Sequence, residues 1–338
     1  MRQIILHERP DGMPTKDTFQ YQEVDVPAQK SGEVLLKTLY LSVDPYMRGR
    51  MSDLPSYVEP FQVGKPLNGG IVAEVIESDG SVLNTGDIVT GALPWQEYIA
   101  VSPDELRRVD VHGVPISSAL GVLGMPGLTA YFGMYHIGEP KEGETVVVSG
   151  AAGAVGSLAG QLAAKRGARV TGIVGSREKA DYIVEKLGFD NAVNYKEENV
   201  SDALKAKCPD GIDVYFENVG GEISDAVWPQ LNTFARVPLC GAIASYNLAE
   251  GEKDIGLRVQ GPFIKSRVKM QGFIVGDFAK HFSEAYRELS SLVQSGDILF
   301  EETIHEGFDQ VPDAFLGLFT GENIGKQLVK VAAPNGEK

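Results

Sequence analysis

The sequence predicts an α/β protein in which a doubly wound parallel sheet follows a small antiparallel β domain. Three observations carry that prediction. From Thr145 onward, short apolar strand-forming runs alternate with helical periodicity, the pattern of a parallel sheet covered on both faces. From residue 1 to about 124, by contrast, short strand-like runs are separated by turn signals. At the head of the alternating part stands Thr145 to Gly156, TVVVSGAAGAVG, which joins strand formers, a small-residue turn and the start of a helix. A length of 338 residues fits about two domains.

Taken in order, the strand-like runs are Ile4 to Leu6, Phe19 to Val26, Glu33 to Ser42, Gly70 to Ser78, Ile88 to Ala92 and Glu97 to Val101. Pro10-Asp11-Gly12, Lys30-Ser31-Gly32, Asn68-Gly69-Gly70, Asp79-Gly80 and Thr85-Gly86-Asp87 punctuate them. Within this domain Ser42 to Met51, SVDPYMRGRM, reads as a loop opened by an Asp-Pro turn. Tyr, Met and Arg together in such a loop are costly to leave exposed, which marks it as a candidate site segment. Gly124 to Tyr131, GMPGLTAY, opens a helix with proline in the first turn and leads into the second domain.

The second domain opens on Thr145 to Val148, four strand formers of which three are apolar, as suits a buried first strand. After the turn comes the helical pattern Leu158-Ala159-x-x-Leu162-Ala163. Strand, glycine turn and helix in that order make a dinucleotide site out of a turn that alone needs no ligand. Backbone N–H groups at the helix start and the positive end of its dipole face a pyrophosphate. A side chain at Gly153 would hold that group off, and Gly156 lets the helix sit close to the strand. The match to G-x-G-x-x-G is partial, because Ala151 occupies the first glycine position. Further strands follow at Arg169 to Val174, Ala192 to Tyr195, Ile212 to Phe216, Ala235 to Cys240 and Lys269 to Val275. Helical segments at Glu178 to Leu187, Val200 to Ala206 and Ile223 to Leu231 lie between them. Lys280 to Ser295 is an amphipathic helix. Leu299 to His305, Val311 to Thr320 and Gly325 to Val331 read as strand, helix and strand. This tail is expected to rejoin the first domain, giving 1–124 with 297–338 and 125–296 as the two units. The last seven residues, Ala332 to Lys338, look frayed.

The end of the second strand chooses between coenzymes. A fold selecting NAD places an acid there to hold the ribose 2′-hydroxyl. Here the chain reads Gly175-Ser176-Arg177-Glu178-Lys179, with no carboxylate on the strand end and a hydroxyl and two cations just after it. A 2′-phosphate fits Ser176, Arg177 and Lys179, so NADP is expected. Asn218-Val219-Gly220-Gly221 and Cys240-Gly241-Ala242 with Tyr246 fall at strand carboxyl ends and should line the same cleft. Cys240 has no histidine near it in sequence and reads as structural rather than nucleophilic.

Lys+Arg 31 against Asp+Glu 46 gives a net charge of −15, without a basic patch, which speaks against nucleic acid or an anionic membrane as partner. No apolar run approaches the length of a membrane span, and MRQIILHERPDG does not read as a signal peptide. Two cysteines, Cys208 and Cys240, suit a reducing, cytoplasmic setting. C-x-x-C spacing is missing and the histidines His7, His112, His136, His281 and His305 are scattered, so no metal is expected.

Taken jointly, GAAGAVG (150–156), NYK (194–196), ENVGG (217–221), VDPYMRG (43–49), GMPGLTAY (124–131) and GENIGKQLVKV (321–331) resemble the zinc-free medium-chain dehydrogenase/reductases. Within them they are similar to the NADPH-dependent alkenal/one double-bond reductases, a group that includes the prostaglandin and curcumin reductases. The resemblance implies a GroES-like β-barrel domain, a Rossmann domain and a cleft between them. It implies that Lys179 and Tyr195 hold the 2′-phosphate, Ala154 and Val155 the pyrophosphate, and Asn218 the ribose side. Phe273, Val275, Met125 and Thr129 would frame the nicotinamide, with Asn323 reaching in from the closing segment. Tyr46 and Tyr246 match active-site tyrosines of the group. A further tyrosine of some animal members aligns with Ile264-Lys265-Ser266, which leaves the proton donor open. The expected reaction is NADPH-dependent reduction of the double bond of an enal or enone by a homodimer. An NADPH:quinone oxidoreductase and a non-catalytic NADPH-binding protein are the alternatives.

Overall fold

The structure, a computed structural model, describes residues 1–80, 82–111 and 113–336. His112 and the last two residues of the tail expected to fray, Glu337 and Lys338, lie outside the described residues. The chain opens with an antiparallel pair, β1 (Arg2–Leu6) and β2 (Phe19–Glu23). β3 (Val34–Ser42) follows and leads into a short helix, α1 (Met47–Arg50). β4 (Asn68–Glu77), β5 (Ile88–Pro94), β6 (Tyr98–Val101) and β7 (Arg107–Arg108) complete this part. β3 is the hinge of the arrangement. Its first half, Val34 to Lys37, pairs with β6, and its register shifts against β4 at two places. Such irregularities bend a strand and let one strand serve two partners.

The segment from 43 to 51 differs from the loop that its sequence predicts. It winds into α1, which buries Met47 and Arg48 and leaves Tyr46 and Arg50 to the cleft. Arg48 crosses to the turn at residues 10–12, donating from Nη2 to the Gly12 carbonyl at 2.7 Å. The apolar side chain and one cation therefore hold the helix down, and the site residues ride on it.

α2 (Met125–Phe132), with proline in its first turn, carries the chain across to the second unit. β8 (Thr145–Ser149) and α3 (Gly156–Lys165) flank the glycine turn, and β9 (Arg169–Val174), α4 (Arg177–Glu185), β10 (Asn191–Asn194) and α5 (Val200–Lys207) follow. β11 (Ile212–Phe216), α6 (Gly221–Val227), β12 (Leu231–Leu239), α7 (Gln260–Ser266), β13 (Lys269–Gly272) and α8 (Phe282–Gln294) complete the alternation. Among the described residues the sheet is parallel throughout, in the order β10-β9-β8-β11-β12-β13. The order reverses between β8 and β11, and a crevice outside their carboxyl ends is where ligands bind in such sheets. Val146, Val147 and Val148 are fully buried, as the apolar run of the first strand requires.

The chain then returns. β14 (Glu302–Glu306) pairs in parallel with β15 (Lys326–Lys330), reached through α9 (Val311–Thr320), and β15 pairs antiparallel with the second half of β3. Phe308, Val311 and Phe315 pack into the same core as Ile4, Leu36 and Trp95. Residues 247 to 259 are largely irregular, α7 begins at Gln260, and Glu250 N–H donates to Asp11 Oδ1 at 2.7 Å, which ties this stretch to the turn at residues 10–12. No helix among the described residues is long and apolar enough to cross a membrane.

Candidate active site

A cleft of about 1360 Å³ runs between the two units. Its floor is the turn after β8. Gly150 has φ +60°, and a Cβ at Gly156 would stand 2.3 Å from the Gly150 carbonyl oxygen, so α3 starts closer to the turn than any side chain allows. Gly153, Ala154, Val155 and Gly156 all line the cleft. The N–H groups of Ala154 and Val155 find no backbone acceptor among the described residues. Unpaired N–H groups at a helix start form an anion site. The turn is fixed from behind by the tail, for Gly325 N–H donates to the Ala152 carbonyl at 2.7 Å and Gly325 bridges to Gly153.

At one end of the floor lie Lys179, Tyr195 and Lys196. Lys179 reaches over to the tail, donating from Nζ to the Gly321 carbonyl at 2.8 Å. Burial, and the neighbouring Lys196 charge after it, lower the Lys179 pKa. Two like charges close enough to interact in one cleft call for an anion beside them. Tyr195 lies over Gly175, where a Cβ would meet its hydroxyl at 2.8 Å. Ser176 takes a different part from the one its sequence suggests. It is not among the residues lining the cleft, and its Oγ caps α4 by accepting the Lys179 N–H at 3.2 Å. Arg177 points to solvent beside Asp181.

At the carboxyl end of β11 the buried Glu217 organises the next loop. Its carboxylate accepts from Ser149 Oγ at 3.0 Å, from the N–H groups of Val219 and Gly220 at 2.8 and 2.9 Å, and from Ser224 Oγ. Asn218 Nδ2 is spent on the Ser149 carbonyl at 2.7 Å, so the side chain is held at the cleft wall. Cys240, Phe273, Val275, Met125, Thr129 and Asn323 line the same cleft. The Thr129 hydroxyl donates back to the Met125 carbonyl at 2.7 Å, and Asn323 Nδ2 donates to the Gly325 carbonyl at 2.8 Å. Burial pushes the Cys240 thiol up to about 12.

Above this wall stand Tyr46, from the first unit, and Tyr246, after β12. Burial raises the pKa of both phenols. Tyr246 accepts the Ala242 N–H at 3.3 Å. Tyr46 is braced by the residues beneath it. Asp44 accepts from Ser42 Oγ at 2.6 Å and from Lys326 Nζ at 3.1 Å, in an ion pair whose side chains are only 8% and 5% exposed. Lys326 also donates to the Val43 carbonyl at 2.8 Å. Sequence reasoning missed Lys196, Tyr57 and Arg50, which line the cleft too. The first stands in NYK and the last in the segment already singled out, but neither spacing nor composition aims them inward.

The residues fit a phosphorylated dinucleotide. Free N–H groups sit at the helix start, a lysine pair at one end and apolar walls with two phenols at the other. Fold and cleft together define the class, a two-domain NADP-dependent oxidoreductase. Comparison with known proteins agrees. Residues 2–109 match the family model described as the N-terminal domain of oxidoreductase, and residues 154–295 the one described as zinc-binding dehydrogenase. The NADPH-dependent curcumin reductase of Escherichia coli is 44% identical over 335 residues, 98% of this chain and 97% of that protein. The NADP(+)-dependent 2-alkenal reductase of Nicotiana tabacum is 42% identical over 337 residues, 98% of this chain and 97% of that one. The crystal structure of CurA in complex with NADPH from Vibrio vulnificus has a TM-score of 0.93 at 42% identity, covering 99% and 100% of the two chains. The chain belongs to the medium-chain dehydrogenase/reductases, in their NADP-dependent reductase group. Among the described residues no group of three or more His, Cys, Asp or Glu side chains is placed to hold a metal ion.

Proposed function

We propose that this protein reduces the carbon–carbon double bond of α,β-unsaturated aldehydes and ketones. One observation carries the reading: two phenols from different units, Tyr46 and Tyr246, line the same cleft as a lysine pair whose charges lie close enough to interact. NADPH, when bound, supplies the hydride that the substrate takes at Cβ. Lys179, Lys196 and Tyr195 hold the 2′-phosphate, and Ala154 and Val155 N–H groups the pyrophosphate. Asn218 and Asn323 meet the ribose side, and Phe273, Val275, Met125, Thr129 and Cys240 frame the ring. As negative charge builds on the carbonyl oxygen, a hydroxyl aimed at it contributes about 3 kcal/mol, by analogy with an oxyanion-hole donor. Tyr46 and Tyr246 supply such hydroxyls, and burial keeps both protonated. Cα then takes a proton. The names of the alkenal and curcumin reductases support this substrate class.

The test is consumption of NADPH and NADH against 2-alkenals, enones and quinones, with and without chelator. Fast turnover of 2-alkenals and enones with NADPH, insensitive to chelator, is expected. Turnover of quinones alone would overturn the reading, as would binding of NADPH with none of the panel reduced. A homodimer is proposed as well. Among the described residues β13 leaves one edge of the parallel sheet unpaired, with Met270 and the nearby Phe234 exposed, which supports it. Sedimentation at working concentration checks it.

A further inference from the structure

Tyr46 and Tyr246 belong to different units, so the bonds that join one unit to the other near them set how far apart they stand. Tyr46 opens α1, and Tyr246 follows β12, shortly before Glu250. The turn at residues 10–13 is bonded to both segments. From α1 the buried Arg48 donates through Nη2 to the Pro10 and Gly12 carbonyls at 3.2 and 2.7 Å, and through Nε to Gly12 at 3.2 Å. From the other unit Glu250 N–H donates to Asp11 Oδ1 at 2.7 Å, and Asn247 Nδ2 donates to Met13 Sδ at 3.1 Å. Gly12 lies against the same stretch, for a Cβ there would stand 3.7 Å from the Asn247 carbonyl oxygen and 3.8 Å from Ala249 Cβ.

Beyond Glu250 the chain forms an arch held at both ends by carboxylates. Leu257 N–H donates to Asp225 Oδ1 at 3.0 Å, and Asp225 stands on α6 of the same unit. Asp11 holds the near end and comes from the opposite unit. Between them Lys253, Asp254 and Ile255 line the cleft. The residues just before Tyr246 are fixed within their own unit, since the N–H groups of Ile243 and Ala244 donate to the Asn218 and Val219 carbonyls at 3.3 and 2.9 Å. The Asp11 bond therefore orients unit against unit, not the tyrosine within its unit. A carboxylate that accepts a backbone N–H makes a charge-assisted bond, shorter and stronger than a neutral one.

On the reading that enones are reduced here, we propose that Asp11 is a positioning residue for that reaction. Its carboxylate latches residues 247–250 to the turn that Arg48 holds against α1, and so fixes Tyr246 against Tyr46 at the separation a bound enone needs. Asp11 itself exchanges no proton or electron with the substrate. Its effect on rate comes from geometry alone, where a displacement of about 1 Å far from the reacting atoms can cost up to about a hundredfold. The latch needs only an oxygen acceptor on a short side chain, so an amide can replace the carboxylate and a methyl group cannot.

Two measurements test this. The first is enone reduction by the wild type, Asp11→Ala, Asp11→Asn, Tyr246→Phe and the double variant Asp11→Ala/Tyr246→Phe. Asp11→Ala should lower kcat about tenfold and leave KM for NADPH within about twofold, because the groups assigned to the coenzyme lie outside the turn at 10–13. Asp11→Asn, whose amide oxygen accepts the same N–H, should recover most of the loss. Adding Asp11→Ala to Tyr246→Phe should cost no more than about twofold, since the latch acts through that hydroxyl. The second measurement needs no turnover. Hydrogen-exchange mass spectrometry on the peptide spanning 247–256 should show exchange about tenfold faster in Asp11→Ala than in the wild type, and unaltered in Asp11→Asn. An unchanged kcat in Asp11→Ala, the full loss repeated in the double variant, an Asn variant no better than the Ala variant, or unaltered exchange in Asp11→Ala would each overturn the proposal. If the wild type reduces no enone, the functional reading falls, and the exchange rates alone decide whether Asp11 latches the two units.

Discussion

At the scale of single residues, the cleft separates charge from chemistry. Lys179 and Lys196 repel one another until an anion lies between them. Lys179→Glu should therefore raise KM for NADPH far more than for NADH, and equal effects on both in steady-state assays would contradict the 2′-phosphate assignment. Tyr46→Phe and Tyr246→Phe should each lower kcat, by a hundredfold or so for the proton donor, with NADPH affinity from fluorescence titration unaltered. If both variants stay within twofold of the parent, these roles are wrong. Cys240 presents the opposite case, a thiol in the wall of the cleft. Burial pushes its pKa up to about 12, so very little of it is thiolate at pH 7.5. The native protein should resist alkylation at this position by an enal or a maleimide, with the rate rising about tenfold per pH unit. Peptide mass spectrometry reads this, and rapid labelling at pH 7.5 would show that the thiol is not shielded. The charge at the end of β9 was legible because an absent acid is a local fact. The inward aim of Lys196, Tyr57 and Arg50 was not, because folding of distant segments sets it.

At the scale of elements, periodicity revealed what was long enough to be periodic. The strands of the parallel sheet and the helices between them have enough apolar positions to show their period within a single window. α1, with four residues, has not. Its helical form rests on Met47 beneath Gly69, where a Cβ would come within 2.5 Å of the methionine methyl, and on Arg48 tied to Gly12. Neither contact is visible from the residues alone. β12 likewise begins earlier than its apolar run, because Phe234 adopts φ +65° and a register shift lets the strand start at Leu231. β15 is bound to the loop before α1 by the Asp44–Lys326 pair, which lies out of reach of solvent. Asp44→Asn would leave the ammonium buried beside a neutral group. It should cost about 3–5 kcal/mol in urea denaturation, and a loss below 1 kcal/mol would mean that the backbone carbonyls alone satisfy Lys326.

At the scale of the whole molecule, the two units are joined by a connection that runs against chain order. Residues after 320 supply Gly321 to Lys179, Gly325 to the turn at Ala152, and β15 to the open half of β3. Because Gly325 and Ala152 belong to the last and the middle parts of the chain, the coenzyme floor is finished late. A nascent polypeptide leaving the ribosome can close the parallel sheet as soon as α8 emerges, yet β3 must wait with half of one flank bare until β15 has been read. An uncovered flank of this sort invites pairing with another chain. Synthesis of this protein thus has a vulnerable interval that ends only when β15 slots home, and termination just before Lys326 would leave an adhesive product rather than a merely shortened one.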